Sequence, residues 1–340
     1  MRSLAAVTVP AHAETLRRAL VREGLLRGDL HVVHEGGEVA FPMSRLPSAP
    51  IPHARWEERE FGVRPGPGAE SYRELVDVPP EIRENLPRSF DVVGDVVLIR
   101  LPEEVRAYAT AVGEALLSFV PGARIVGSDR GVQGTARLRR IERLAGSGGW
   151  ITVHHENHLS LEVDLERAYF SPRLAREHAA VADEVERGER VIDFACGVAP
   201  FGAHVVRDGR AREVVAVDAN PDATALAHRN LERAGGGRAF RVVTALLESF
   251  APSAGGCERA ILNLPQGGVK YLAQVGATVE RGGTLHYYER TGRSRFDDRP
   301  TELMKMLGDA VPGSWSVTDA HVVHPYSPTE DIVAYRLLRG

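Results

Sequence analysis

Three short stretches carry side chains whose types and spacing suit a ribose-bearing ligand. In Asp193-Phe-Ala-Cys-Gly197-Val-Ala-Pro200-Phe201 an acidic residue is followed four positions later by glycine. Val217-Asp218-Ala-Asn220-Pro221 places a second carboxylate at the end of an apolar run, where it can accept hydrogen bonds from both hydroxyls of a ribose. Asn263-Leu264-Pro265 offers an amide that both donates and accepts. No GxGxxG triplet accompanies these stretches, so a pyrophosphate-bearing dinucleotide is not the expected ligand. A cofactor without phosphates needs fewer close backbone approaches, which suits the DxxxG spacing.

These stretches need strands that end beside one another. From Tyr169 onward the chain alternates: a helix over 172–186, then strands RVIDFA, EVVAVDA, AFRVVTA, RAILNLP and GGTLHYYE separated by helices, and two closing strands. Such alternation predicts a mostly parallel sheet with helices on both faces, whose ligands sit beyond the carboxyl ends of the strands. Ahead of it, residues 1–70 read as a small α+β module with a helix over 11–24 and a Gly-Gly hairpin in HVVHEGGEVAF. FGVRPGPGAESY reads as a linker. Residues 85–165 read as a second α+β domain, opening with one buried strand over 92–101 and an amphipathic helix.

With 340 residues, two or three domains are expected. No apolar run approaches the length of a membrane span, and the N-terminus lacks the apolar stretch of a secretory leader, so a cytoplasmic protein is expected. Two cysteines, Cys196 and Cys257, provide neither a metal cage nor a disulfide framework, and no zinc-type histidine spacing occurs, so no metal is expected. The net charge of −4 means that nucleic acid would have to be bound by local patches. One candidate patch is residues 122–150, where six arginines face two acidic residues. Only Lys270 and Lys305 are lysines, so the basic surface is almost entirely guanidinium, which grips phosphate bidentately.

The three strand tips together resemble those of class I S-adenosylmethionine-dependent methyltransferases. Just ahead of them, Ala168-Tyr169-Phe170-Ser171-Pro172-Arg173-Leu174-Ala175-Arg176-Glu177 is similar to the YFSPRLxxER signature of the archaeal and eukaryotic tRNA guanosine-37 N1-methyltransferases. Gly134-Thr-Ala-Arg137, His155-Glu156-Asn157, HYYER and Pro325-Tyr326-Ser327-Pro328 follow that family's order, so the resemblance spans residues 85–340. It implies an α/β fold, a class I methyltransferase (Rossmann-like) sheet preceded by two small α+β domains, of which the N-terminal one contacts the outer corner of tRNA.

It also implies a cofactor, S-adenosyl-L-methionine, and a partner, tRNA, for a monomeric enzyme without metal or membrane. The catalytic residues it implies are Glu177 as base, Arg137 as stabiliser of charge on guanine O6, and Asn263 holding the guanine edge. Cofactor contacts fall on Tyr169, Asp193, Gly197, Pro200, Phe201, Asp218, Asn220, Asn263 and Pro265. Thr244-Ala245 stand where the family commonly has an acidic or amide residue, which leaves adenine to backbone groups there. Ala199 stands for a usual glycine and His178 for a frequent arginine. Two other readings share the scaffold: aminocarboxypropyl transfer from the same cofactor to a wyosine precursor, and a tRNA-binding relative without turnover.

Overall fold

The computed structural model describes residues 1–47, 49–63, 71–134, 138–235 and 237–340. The chain divides into two compact units, Met1–Gly131 with Ile141–Gly149, and Val132–Arg140 with Trp150–Gly340.

The first unit holds two small cores. Strands β1 (Arg2–Thr8), β2 (Val33–Glu35), β3 (Glu38–Met43) and β4 (Arg55–Glu60) form an antiparallel sheet in the order β2-β3-β1-β4. Helix α1 (Pro10–Arg22) starts on a proline at its first turn and buries Leu16 and Leu20 beside Ala6, Phe41 and Met43. Gly24, at φ +65°, lies just past its end, and Gly36-Gly37, both at positive φ, make the two-residue turn between β2 and β3. The linker expected after this module falls largely on residues 64–70, outside the described residues.

Beyond it come α2 (Pro80–Glu84), β5 (Asp91–Val93), β6 (Val96–Ile99), α3 (Ala109–Phe119), β7 (Ile125–Gln133) and β8 (Leu138–Gly146), with sheet order β5-β6-β7-β8. The single strand expected over 92–101 is instead a hairpin. Gly94, at φ +56°, folds Val93 back onto Val96, and Val97 and Ile99 enter the core with Val112, Leu116 and Val126.

The second unit contains the hairpin β9 (Ile151–Glu156) and β10 (Leu159–Asp164), then α4 (Ala175–Glu184), β11 (Arg190–Phe194), α5 (Pro200–Asp208), β12 (Glu213–Asp218), α6 (Pro221–Gly235) and β13 (Phe240–Thr244). It continues with α7 (Leu247–Phe250), β14 (Cys257–Asn263), α8 (Leu272–Thr278), β15 (Val279–Gly292), α9 (Arg299–Ala310), β16 (Trp315–Pro325) and β17 (Glu330–Arg339). The seven-stranded sheet runs β13-β12-β11-β14-β15-β17-β16, parallel from β13 to β15 and antiparallel at the two closing strands. Val191, Ile192 and Phe194 on β11 and Ala260, Ile261 and Leu262 on β14 are fully buried. Such runs mark strands covered on both faces, and each large apolar side chain removed from water contributes about 1.5–3 kcal/mol.

The unit that holds the seven-stranded sheet also takes in the β9–β10 hairpin, from Trp150 onward. The reason is Asn230 on α6, which is buried and accepts from the Glu162 N–H at 2.7 Å while donating to the Glu162 and Val198 carbonyls at 3.0 Å each. One amide thus fastens β10 and the loop before α5 to α6. Replacing Asn230 with alanine strands these backbone groups in the interior and is expected to cost about 3 kcal/mol. Denaturant unfolding of Asn230→Ala should show a lower midpoint with an unchanged slope, and an unchanged midpoint would refute this account.

Candidate active site at the strand tips

The ends of β11 and β12 are joined through one carboxylate. Asp218 Oδ2 accepts the Gly197 N–H at 2.8 Å and Oδ1 accepts the Asn220 N–H at 2.9 Å, which fixes the group while leaving lone pairs for a ligand. Asn220 is committed to shaping this tip: its Oδ1 accepts the Asp222 N–H at 3.0 Å and its Nδ2 donates to the Arg167 carbonyl at 2.6 Å. Gly197 lies at φ +56°, and a Cβ there would stand 3.2 Å from the Tyr169 carbonyl oxygen. Ala199, also in the left-handed region at φ +57°, turns the chain into α5, whose first residues are Pro200 and the buried Phe201.

Asp193 is buried beneath this loop. Its Oδ2 accepts the Gly202 N–H at 3.3 Å, whereas Oδ1 meets no hydrogen-bond partner. Burial pushes its carboxyl up to about 7. At the next tip the Ala245 N–H donates to the Asp218 carbonyl at 3.0 Å, and the hydroxyls of Thr244 and Thr224 lie 2.6 Å apart.

Asn263 ends β14 with its Oδ1 buried and lacking a hydrogen-bond partner. The next turn is braced from the backbone, the Leu264 carbonyl accepting from Gly268 at 3.0 Å and the Pro265 carbonyl from Arg290 at 3.1 Å. Sheet register pairs Asn263 with Tyr288 on β15. The Tyr288 hydroxyl donates to Glu177 Oε2 at 3.1 Å, and its ring lies 5.4 Å from that of Phe201. Glu177 on α4 is thereby brought to the Asn263 end of the sheet. A cleft of about 510 Å³ adjoins this tip, lined by Pro265, Gln266, Glu289, Arg290, Arg295 and Arg299 among others.

Arg137 lies outside the described residues. Its neighbour Arg139 donates to the Phe170 carbonyl at 2.9 Å and sits 5.3 Å from the centroid of the Tyr169 ring. The arginine-rich stretch is less free than its composition suggested, since Arg124 is bound to Asp95 at 2.8 Å and Arg130 is paired with Glu142.

Three residues near Glu177 form a cluster that was not foreseen as a unit. Glu156 Oε1 accepts from His178 Nδ1 on α4 at 2.7 Å and from His204 Nε2 on α5 at 3.1 Å, with all three side chains buried. Burial pushes the Glu156 carboxyl up, but the surrounding imidazoles of His154, His178 and His204 more than offset this and hold it below the usual carboxylate range. Burial lowers His178. Tyr288 was also missed, although HYYER had been singled out, and so was His321 on β16, which nothing in its local sequence marked.

A family model described as the TRM5/TYW2 methyltransferase domain matches residues 152–312, and one described as the TYW2 N-terminal domain matches residues 72–149. The chain is 33% identical to the tRNA (guanine(37)-N(1))-methyltransferase Trm5b of Pyrococcus abyssi, with 97% of each chain covered. It is 30% identical to Trm5b of Methanocaldococcus jannaschii, with 95% of each covered. Among solved structures, the complex of aTrm5 and tRNALeu superposes with a TM-score of 0.71 at 27% identity, covering 99% of this chain and 100% of that one.

The buried cluster predicts acid sensitivity. Glu156 and His178 both have folded values below their unfolded ones, so the unfolded chain binds more protons and stability is lost as pH falls below about 6.5. Thermal midpoints should drop from pH 7.5 to pH 5. Glu156→Ala should lower the midpoint at pH 7.5, by about 3 kcal/mol of stability, and keep the loss on acidification, because burial then depresses His178 with no carboxylate to oppose it. A parent protein that gains stability on acidification would contradict this.

Proposed function

The chain belongs to the TRM5/TYW2 methyltransferase family, and from this we propose that it transfers the methyl group of S-adenosylmethionine to N1 of guanosine 37 in tRNA. The observation that carries the proposal is the convergence of Glu177, held by Tyr288, with the Asn263 tip in a sheet whose other tips present Asp193, Gly197 and Asp218. The residues present suit the cofactor. Asp218 is fixed with lone pairs to spare for ribose, the glycine at 197 keeps the loop clear beside the Tyr169 carbonyl, and the buried Asp193 Oδ1 and Asn263 Oδ1 have no partner among the described residues. Pro200, Phe201, Asn220, Thr244, Ala245 and Pro265 frame these groups. When bound, S-adenosylmethionine supplies a methyl carbon made electrophilic by its sulfonium.

Guanine N1 carries a proton at neutral pH and becomes a nucleophile only when a base removes it and the charge reaching O6 is stabilised. Glu177 is the base, partly buried and already held by the Tyr288 hydroxyl, so its carboxylate is oriented before the substrate arrives. Asn263 uses its unpartnered oxygen and its amide hydrogens on the guanine edge, while Leu264 and Pro265 shape the slot. Arg137 is assigned to O6. A loop base can be splayed into such a cleft at lower cost than a paired one. The N-terminal module, residues 1–70, is assigned to the outer corner of tRNA, and the enzyme is expected to act in the cytoplasm as a monomer.

The match of residues 72–149 to the TYW2 N-terminal domain keeps aminocarboxypropyl transfer as the second reading. Which group moves depends on which carbon of the sulfonium lies in line with N1 at about 3–3.5 Å. Incubating a guanosine-37 transcript with cofactor labelled in the methyl or in the carboxyl group separates the two. Only the methyl label should enter the RNA, and carboxyl label in the RNA would establish the second reading. Cofactor binding with no label transferred would leave a binding protein.

In the same assay, Glu177→Gln should slow the chemical step about 10²-fold or more with cofactor affinity kept, and Asn263→Ala should weaken guanine positioning. Unchanged turnover in Glu177→Gln would remove it from the mechanism. Asp193 gives a further check. A cationic donor favours its ionised form, so cofactor affinity should tighten as pH rises through about 7 and level off above it. Calorimetry of Asp193→Asn should show weaker binding without that pH dependence.

A further inference from the structure

His321 lies on β16, the edge strand of the sheet, 144 positions from Glu177 in the chain, yet its Nε2 is 3.0 Å from Glu177 Oε1. Its Nδ1 is 2.7 Å from Asp319 Oδ2 on the same strand. The imidazole therefore bridges two carboxylates, the Glu177 end of which is only 13% exposed, whereas the ring itself is 46% exposed. Glu177 in turn is held on its other oxygen by Tyr288. The result is a continuous hydrogen-bonded chain from the buried Tyr288, through the carboxylate, to a ring in contact with water.

We infer that His321, held by Asp319, is the positioning residue that orients Glu177 and returns its proton to solvent after each turnover. The inference rests on the reading of Glu177 as the base in methyl transfer. Neither ring nitrogen can accept from an ionised carboxylate, so in the resting site both nitrogens donate and the ring is an imidazolium. Burial alone would push the ring down, but its bonds to Glu177 and Asp319 outweigh this and hold it above its ordinary value. The other charged and titratable groups around the pair are Tyr288 on β15, His178 beside Glu177 on α4, and on β17 Arg336, which pairs with Glu184 of α4.

The proton balance closes without an additional reagent. As the N1–CH₃ bond forms and the S–CH₃ bond breaks, the N1 proton passes to Glu177, which becomes neutral. That removes one of the two anions holding the ring protonated, so the ring sheds one proton to water while its Nδ1–H stays on Asp319. The bared Nε2 then takes the proton from Glu177, restoring carboxylate and imidazolium. One proton leaves for each methyl group transferred, and the exposed ring gives it a path that the buried Tyr288 does not.

Methyl transfer to a guanosine-37 transcript, followed from pH 6 to 9 both in a single turnover, which reads the orientation of Glu177, and in multiple turnovers, which also read the return of its proton, tests this. For His321→Ala we expect the chemical step to fall about tenfold, with the dissociation constants of cofactor and tRNA unchanged. The pH dependence that the ring imparts to the rate should be lost, because the variant has no imidazole to titrate. Added imidazole should restore part of the rate in His321→Ala and none in Glu177→Gln, a rescue that a purely structural role would not give. Asp319→Asn should weaken that dependence without abolishing it, since Glu177 still holds the ring. Because the ring is half-exposed on an edge strand, the variant should fold, and His321→Gln serves if it does not. A parental rate and profile in either His321 variant would overturn the inference while leaving the methyl-transfer reading standing. A parent that transfers no methyl to the transcript would overturn both.

Discussion

An anion can be taken out of water only where donors wait for it, and the second unit is organised around one such requirement. The Glu156 carboxylate, on the last residue of β9, is buried, and its Oε1 accepts from imidazoles on two different helices, α4 and α5. Those helices carry the two halves of the site: Glu177 precedes His178 on α4, and Pro200 and Phe201 precede His204 on α5. Removing an ion from water costs several kcal/mol unless the pairing geometry is good, so this carboxylate sets the spacing of the two helices more tightly than apolar contact would. The Glu177 side and the cofactor side are thus registered through a group that need not touch either ligand.

A second constraint acts on the ligand side. Asp218 holds the Gly197 loop and the start of α6 together with one oxygen each. The tip is therefore rigid before anything binds, and the entropy of ordering it is spent during folding. Ala199 adds a small strain, because a residue with a Cβ occupies the left-handed region where glycine would cost nothing. Asp193 keeps one buried oxygen without a hydrogen-bond partner among the described residues, a polar need that a bound group would meet.

Much of this was legible in the sequence because it is local. The β11, β12 and β14 tips each follow an apolar run and carry their polar residue immediately after it, so burial pattern and chemistry coincide within ten residues. Where two elements share one apolar run the reading failed, as at Val92-Val-Gly-Asp-Val96, where only the φ of Gly94 distinguishes a hairpin from a strand. β1 was missed because its Ala-rich stretch shows no alternation; it gains its place as a central strand by pairing with β3 and β4. The partners of Glu177 were out of reach for a different reason. Tyr288 and His321 lie 111 and 144 positions away, and only the assembled sheet brings β15 and β16 to α4. The Glu156 cluster likewise joins residues 22 and 48 apart, none of which sits in a recognisable spacing.

The division of the chain also bears on how the molecule is made. Val132–Arg140 belongs to the second unit, yet it is flanked on both sides by segments of the first, and Ile141–Gly149 completes that first unit only afterwards. Neither unit is a contiguous stretch of polypeptide. As the chain leaves the ribosome, the first unit is completed only by residues that emerge after a segment belonging to the second. A gene cut at residue 150 would give a catalytic fragment lacking nine of its residues. Assembly of the two units is therefore interleaved in time, and permutation or truncation would have to respect that order.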